Sequence, residues 1–358
     1  MTNQRQTRAR ITERDAQILG FLGKFPAADT EALSYLSMKE KTPFGNGEGI
    51  LTEPSGVEKR LQKLVKLGAA TRFRNPINGI NHYGSTALGN EAATIYGYPS
   101  TAWRSIDGLS ISRLEHYRNI ALIAAQFYSP INNFEKILGI KSVPFECLIS
   151  ENEIRKPFDT VQQLLKKKQQ NGESLGDFGT HRKELFQRAN EEIDAGMLEL
   201  NEMVSTYPQL LTIGTTEHKA SKMKPIHQPD FALRLDDQSR SAEYNNGKGR
   251  NWLIEVELHQ KTPDDYEKIL RTLRHEFAIG TAYSHAIYFT GTDAIANVIK
   301  RVDQNAQTDL IKHKRLVVLP IKGRDNLQRT TTKRVSVPKG EPATVRTSDE
   351  LPDLSEIL

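Results

Sequence analysis

The sequence predicts a chain of mixed α+β and α/β class in two parts. The N-terminal part is small, mostly helical and closed by a β-hairpin; the larger C-terminal part is α/β with a mixed sheet. Three observations predict this. Apolar residues recur at helical spacing from Ile11 to Leu64, and an Asn-Gly turn signal follows directly. From Pro229 to Ile321 the chain reads strand, strand, helix, strand, helix, strand. The charge is also lopsided. Lys and Arg outnumber Asp and Glu 49 to 44 overall, and residues 1–74 hold 13 against 8, leaving 36 against 36 for the rest. All of the net +5 therefore falls in the first fifth of the chain, which points that segment toward a polyanion.

The N-terminal elements follow from local signals. Thr12-Glu13-Arg14-Asp15 has the hydroxyl-x-x-acid spacing of a capping box, and Ile11, Ile18, Leu19 and Leu22 form the stripe behind it. Gly23 and Pro26 end that helix, and a second runs from Asp29 through Leu33 and Leu36. Lys41 to Pro54 is polar and glycine-rich and reads as a loop insertion. Ser55-Gly56-Val57-Glu58 is a second capping box. It opens a helix whose apolar stripe is Val57, Leu61, Leu64 and Val65, with Lys59, Arg60, Lys63 and Lys66 off the stripe. Gly68 sits where a helix C-cap takes a left-handed residue. Residues 69–74 and 80–84 then flank the Asn78-Gly79 turn as a hairpin carrying Arg72 and Arg74. Helix, helix, basic helix and two-stranded wing is the order of a winged helix-turn-helix, in which the third helix enters the major groove of duplex DNA. Lys59, Arg60, Lys63, Lys66, Arg72 and Arg74 are the candidate DNA contacts. They would mostly touch phosphates, which position a protein without reading sequence.

The middle of the chain is helical. Residues 110–127 form an amphipathic helix in which Glu115 and His116 read as a surface or capping pair. Residues 143–149 read as a strand. Lys156 to Glu202 is strongly charged, with Lys166, Lys167 and Lys168 in a row and a break near residues 171–179, so the region 156–225 reads as solvated helices in an insertion or linker.

The C-terminal half holds a candidate metal site. Phe231, Leu233 and Leu235 alternate with polar neighbours after Asp230. The polar stretch 236–250 joins this strand to the next, where Leu253, Glu255, Glu257 and His259 point one way and Trp252, Ile254, Val256 and Leu258 the other. Two carboxylates at i and i+2, with Asp230 on a neighbouring strand, suit a hard divalent cation. Thr262-Pro263-Asp264-Asp265 opens a helix with the stripe Tyr266, Ile269, Leu273 and Phe277. Residues 285–290 form a strand, 293–305 a helix and 316–321 a last strand.

An Asp, then Glu-x-(Lys or Glu) on the next strand, then a helix, resembles the PD-(D/E)XK, or restriction-endonuclease-like, nuclease fold. The resemblance implies that Asp230, Glu255 and Glu257 hold Mg²⁺ or Mn²⁺ for phosphodiester hydrolysis. Glu257 stands where the usual lysine falls, a change found both in active nucleases and in inactive relatives that hold no metal. Lys261, four residues on, offers a replacement ammonium. Thr12, Arg14, Asp15, Ile18 and Leu19, followed by Arg60, Leu61, Lys63, Leu64 and Gly68, are similar to the winged helix of the replication-relaxation family of plasmids and other mobile elements. Leu114-Glu115-His116, and Glu255–Leu258 with Lys261, extend that similarity across most of residues 8–305, with no counterpart for the insertion. The family implies a role in replication, DNA relaxation or mobilisation. Catalysis stays open against a non-catalytic regulator that binds DNA as a homodimer or recruits other replication and mobilisation proteins.

Composition bounds the rest. A length of 358 residues suggests two domains at about 150 residues each, here 1–100 and 101–322, with a disordered tail at 323–358. Mean hydropathy is −0.55, and no apolar run reaches the roughly 18–20 residues of a membrane span. The first residues lack an apolar signal segment, and the single cysteine, Cys147, excludes a disulfide framework. A cytoplasmic protein with no membrane partner is the expectation.

Overall fold

Thr12 starts the first helix as its spacing predicts. Its hydroxyl accepts from the Asp15 N–H at 3.3 Å, and Asp15 Oδ2 accepts from the Thr12 N–H at 2.9 Å, opening α1 (Glu13–Lys24). The computed structural model describes residues 11–36, 54–100, 103–129, 134–172, 178–213, 228–234, 251–279 and 282–323, and the backbone of 38–39 and 50–51. The arginine-rich start, most of the 41–54 loop, Leu235, the 236–250 connection and the tail from 324 lie outside the described residues.

Asp29 caps α2 (Thr30–Ser34) by accepting from the Ala32 N–H at 2.8 Å. A short antiparallel pair, β1 (Met38–Lys39) and β2 (Ile50–Leu51), precedes α3 (Pro54–Lys66). Here the structure departs from the sequence reading. The helix starts one residue before Ser55, and Glu58 accepts instead from the Tyr83 hydroxyl at 2.7 Å and from Gln62 Nε2 at 3.3 Å. A tertiary partner has taken the side chain that a capping box needs. Gly68 adopts φ +72° after α3, and the chain enters β3 (Ala70–Arg74), which pairs antiparallel with β4 (Asn81–Ser85) around Gly79 at φ +71°. Ala28, between α1 and α2, bridges to Tyr83 on the other side, with the Tyr83 N–H donating to the Ala28 carbonyl at 2.8 Å. The hairpin is thus clamped between α3 and the α1–α2 connection. After it, α4 (Ala87–Ile95) packs on α1.

Ser110 caps the long α5 (Ile111–Tyr128), and α6 (Phe134–Leu138) follows. The part expected as strand 143–149 is a 3₁₀ turn at Phe145–Cys147 and a short β5 (Leu148–Ser150). After β5 come α7 (Glu151–Gln170), α8 (Phe178–Asp194) and α9 (Met203–Thr206), then β6 (Phe231–Leu233) and β7 (Asn251–Glu257). The last elements alternate: α10 (Pro263–Ile279), β8 (Tyr283–Thr290), α11 (Asp293–Asn305) and β9 (Leu316–Pro320). The five strands lie in the order β5-β6-β7-β8-β9, antiparallel from β5 to β7 and parallel from β7 to β9, so the sheet is mixed.

Both faces of this sheet are covered. Ala232, Leu253, Ala286 and Tyr288 share a core with Tyr266, Leu270 and Leu273 of α10 and Ile295 and Ile299 of α11. Ile154, Leu185, Ala189, Met203 and Leu210 belong to the same core, so the charged helices after β5 help to roof the sheet rather than stand apart as a linker. On the other face Phe231 and Phe289 meet Phe127 of α5, and Phe231 meets Phe25 at the end of α1. Among the described residues no helix is long and apolar enough to cross a membrane.

Candidate functional site

The basic face is built by the inward packing of α3. Val57, Leu61 and Leu64 are buried, which leaves Lys59 and Lys66 exposed on the opposite side. Arg72 and Arg74 are exposed on β3, while β4 behind them is buried. Glu58 and Tyr83 hold α3 and the hairpin at a fixed angle. Burial and the neighbouring Glu58 carboxylate push the Tyr83 phenol well above its ordinary value, so it stays a neutral donor.

Two of the six predicted cations face elsewhere. Arg60 donates through Nε to Asp15 Oδ1 at 2.6 Å and through a terminal nitrogen to Thr12 Oγ1 at 2.6 Å. Lys63 Nζ lies 3.9 Å from Asp15 Oδ2. Both therefore tie α3 to the buried cap of α1. Asp15→Asn is expected to cost about 1–2 kcal/mol, as a helix cap and a charge-assisted bond are weakened together. Urea unfolding checks this; a variant as stable as wild type would show that the ion pair adds nothing beyond the cap.

The acidic residues come from two neighbouring strands of the sheet. Phe231 pairs with Ile254, so Asp230, just before β6, falls beside Glu255 on β7. Asp230 Oδ2 accepts from the Val256 N–H at 2.7 Å, and Oδ1 accepts from His116 Nε2 at 2.9 Å. Glu255 and Glu257 share the Leu253 face of β7 and are only 6% and 7% exposed. Glu257 is ion-paired with Lys261, whose backbone N–H donates to the Tyr266 hydroxyl at 3.2 Å. Burial works against the charge on Lys261, but the bond to Glu257 and the charge of Glu255 overcome it and raise its pKa. His116 behaves alike: burial opposes its charge, and Asp230, with Glu151 and Glu255 behind it, raises it.

His116 is the member of this cluster that the sequence reading placed at the surface. It lies on the same turn of α5 as three other cross-links. Glu115 Oε1 accepts from Asn75 Nδ2 at 2.9 Å and Asn78 Nδ2 at 2.7 Å, both in the hairpin turn. Tyr117 is hydrogen-bonded to Glu151, and Arg118 donates to Asp29 at 2.5 Å. Only the Leu-x-His element of the family resemblance hinted at this turn.

The donor chemistry of Asp230, Glu255 and Glu257 suits a hard cation, and the buried Tyr288 hydroxyl next to Glu255 in register makes no hydrogen bond. The arrangement does not fit one. Asp230 is held by Val256 and His116, Glu257 by Lys261, and among the described residues no three His, Cys, Asp or Glu side chains are grouped to hold a metal ion. No family model, no curated protein and no solved structure matches the chain.

Proposed function

We propose that this chain binds duplex DNA as a winged helix, with α3 directed at the major groove and the β3–β4 hairpin at the adjacent backbone or minor groove. The observation that carries the reading is the Ala28–Tyr83 bridge. It locks the hairpin against the α1–α2 connection, so that α3 and β3 present Lys59, Lys66, Arg72 and Arg74 from one rigid body. Pre-organised cations of this kind gain affinity by releasing counterions from the phosphates. The similarity of Thr12–Leu19 and Arg60–Gly68 to replication-relaxation proteins supports a role in the replication, relaxation or mobilisation of a plasmid or other mobile element. The test is fluorescence anisotropy with a labelled duplex over a series of KCl concentrations. Affinity should fall steeply with salt, and a salt-independent signal would overturn the reading.

On this reading the sheet supports docking or the pairing of two copies. A second reading, favoured by two glutamates buried beside an unpartnered phenol, makes it a metal-dependent endonuclease. It requires Asp230 to leave His116 before three carboxylates can converge. Its expected outcome is nicking of supercoiled plasmid in Mg²⁺ or Mn²⁺ by wild type, abolished in Asp230→Ala and Glu255→Gln, with DNA binding retained by both. Absence of nicking in wild type leaves the regulator.

A further inference from the structure

The tip of the β3–β4 hairpin is held by four hydrogen bonds of its own, and it carries a largely exposed apolar side chain. The Asn75 N–H donates to the Ile80 carbonyl at 2.8 Å and the Gly79 N–H to the Asn75 carbonyl at 2.9 Å. Asn75 Oδ1 accepts from the Ile77 N–H at 2.9 Å, and Asn78 Oδ1 from the Ile80 N–H at 3.0 Å. The two asparagines are then braced from outside the hairpin by Glu115 on α5. Ile77 stands at the end of this braced turn, 78% exposed, with Phe73 39% exposed along the same hairpin. A β-branched residue does not favour a turn, where Gly, Asn, Asp, Ser and Pro serve, so local conformation does not explain Ile77. Packing does not explain it either. Arg72 and Arg74, both exposed, lie behind it on β3, the strand that leads into the turn.

Resting on the duplex-DNA reading, we infer that the hairpin tip is an apolar wedge for the minor groove of DNA. Ile77 seats against sugar and base edges, and Arg72 and Arg74, farther back on β3, reach the phosphates at the groove rim. The charge decides the partner: an apolar tip backed along its own strand by two exposed arginines is complementary to a groove with sugar-lined walls and anionic rims. The minor groove, about 6 Å wide, takes a narrow hairpin end, and inserted aliphatic side chains are a general device there. Glu115 acts as a positioning residue. It fixes the turn through Asn75 and Asn78, so the ordering entropy of the tip is spent before DNA arrives.

The experiment uses the full chain and a fluorescein-labelled duplex of mixed sequence, read by anisotropy against KCl. Ile77→Ala should bind about tenfold more weakly, the reduction expected when part of an isoleucine side chain stays in water, and its salt slope should equal wild type because every phosphate-binding cation is still in place. Arg72→Ala should instead lower the slope. Glu115→Ala should weaken binding without lowering the slope, and a minor-groove-binding polyamide should compete with wild type more strongly than with Ile77→Ala. At an exposed position alanine leaves the fold intact, so unchanged affinity in Ile77→Ala overturns the wedge while wild-type binding still supports the winged helix. Wild type without salt-dependent binding overturns both.

Discussion

Replacing Lys59, Lys66, Arg72 and Arg74 together by alanine is expected to flatten the dependence of log affinity on log salt by about 3–4, because each cation withdrawn from a phosphate takes roughly 0.9 from the slope. All four side chains are exposed, and the two on α3 lie opposite the apolar stripe that holds the helix in place. Their removal should therefore shift the unfolding midpoint little, with most of any change coming from Arg72, which is hydrogen-bonded to the Tyr83 side chain. Arg60→Ala should do the reverse. It breaks the bonds to Asp15 and Thr12, leaves Asp15 buried with one partner fewer, and shifts stability more than salt slope. Anisotropy titrations beside urea unfolding separate the two behaviours. A quadruple variant with the wild-type slope would move the DNA-binding surface away from α3 and β3.

That contrast marks where the sequence stops being legible. Helix starts set by local chemistry are readable: Thr12 before α1 and Pro263 at the start of α10 stand where their spacing puts them, and α5 and α11 begin within a residue of their expected starts. So does the turn at Gly79. The mixed sheet is legible too, since continuous apolar strands alternate with amphipathic helices. What stays hidden is everything settled by a partner far along the chain. Lys59 and Arg60 are neighbours on one helix, yet Asp15, 45 residues away, takes one and leaves the other to solvent. His116 finds Asp230 across 114 residues. Ser55 loses its capping role because Tyr83 claims Glu58. Alternation along β7 suggests a polar and an apolar face, but helices cover both, so Glu255 and Glu257 are buried acids rather than surface ones.

Phe231→Ala is expected to destabilise the protein by about 3–5 kcal/mol and to do so in one cooperative transition. Phe231 is fully buried at the start of β6, with ring centroids 5.7 Å from Phe25 and 6.2 Å from Phe127. Phe127 in turn stacks on Phe134 at 4.1 Å and meets Phe289 edge-on at 6.1 Å. Phe25 ends α1, and Phe231 opens the strand that follows Asp230, so the cluster crosses the boundary near residue 100 expected from element order. Lys24 crosses it as well. Its ammonium, 5% exposed, donates to the carbonyls of Leu148 at 2.8 Å and Phe145 at 3.2 Å and lies 3.5 Å from Glu153. Burial lowers its pKa against the pull of Glu153, and opening the junction would release a charge that is satisfied only there. Rings and ion together tie the two parts. In a Trp103→Phe background the Ser85 carbonyl on β4 loses its indole donor, and fluorescence reports only Trp252 in the sheet. There the fluorescence transition and the loss of DNA affinity, which reports α3, should fall at the same urea concentration. In Phe231→Ala both should move down together. Separate midpoints, with only the sheet signal shifted by the substitution, would mean that the N-terminal helices and hairpin hold their shape without the sheet and that the Glu115–His116 turn does not couple the proposed DNA-binding surface to the acidic cluster.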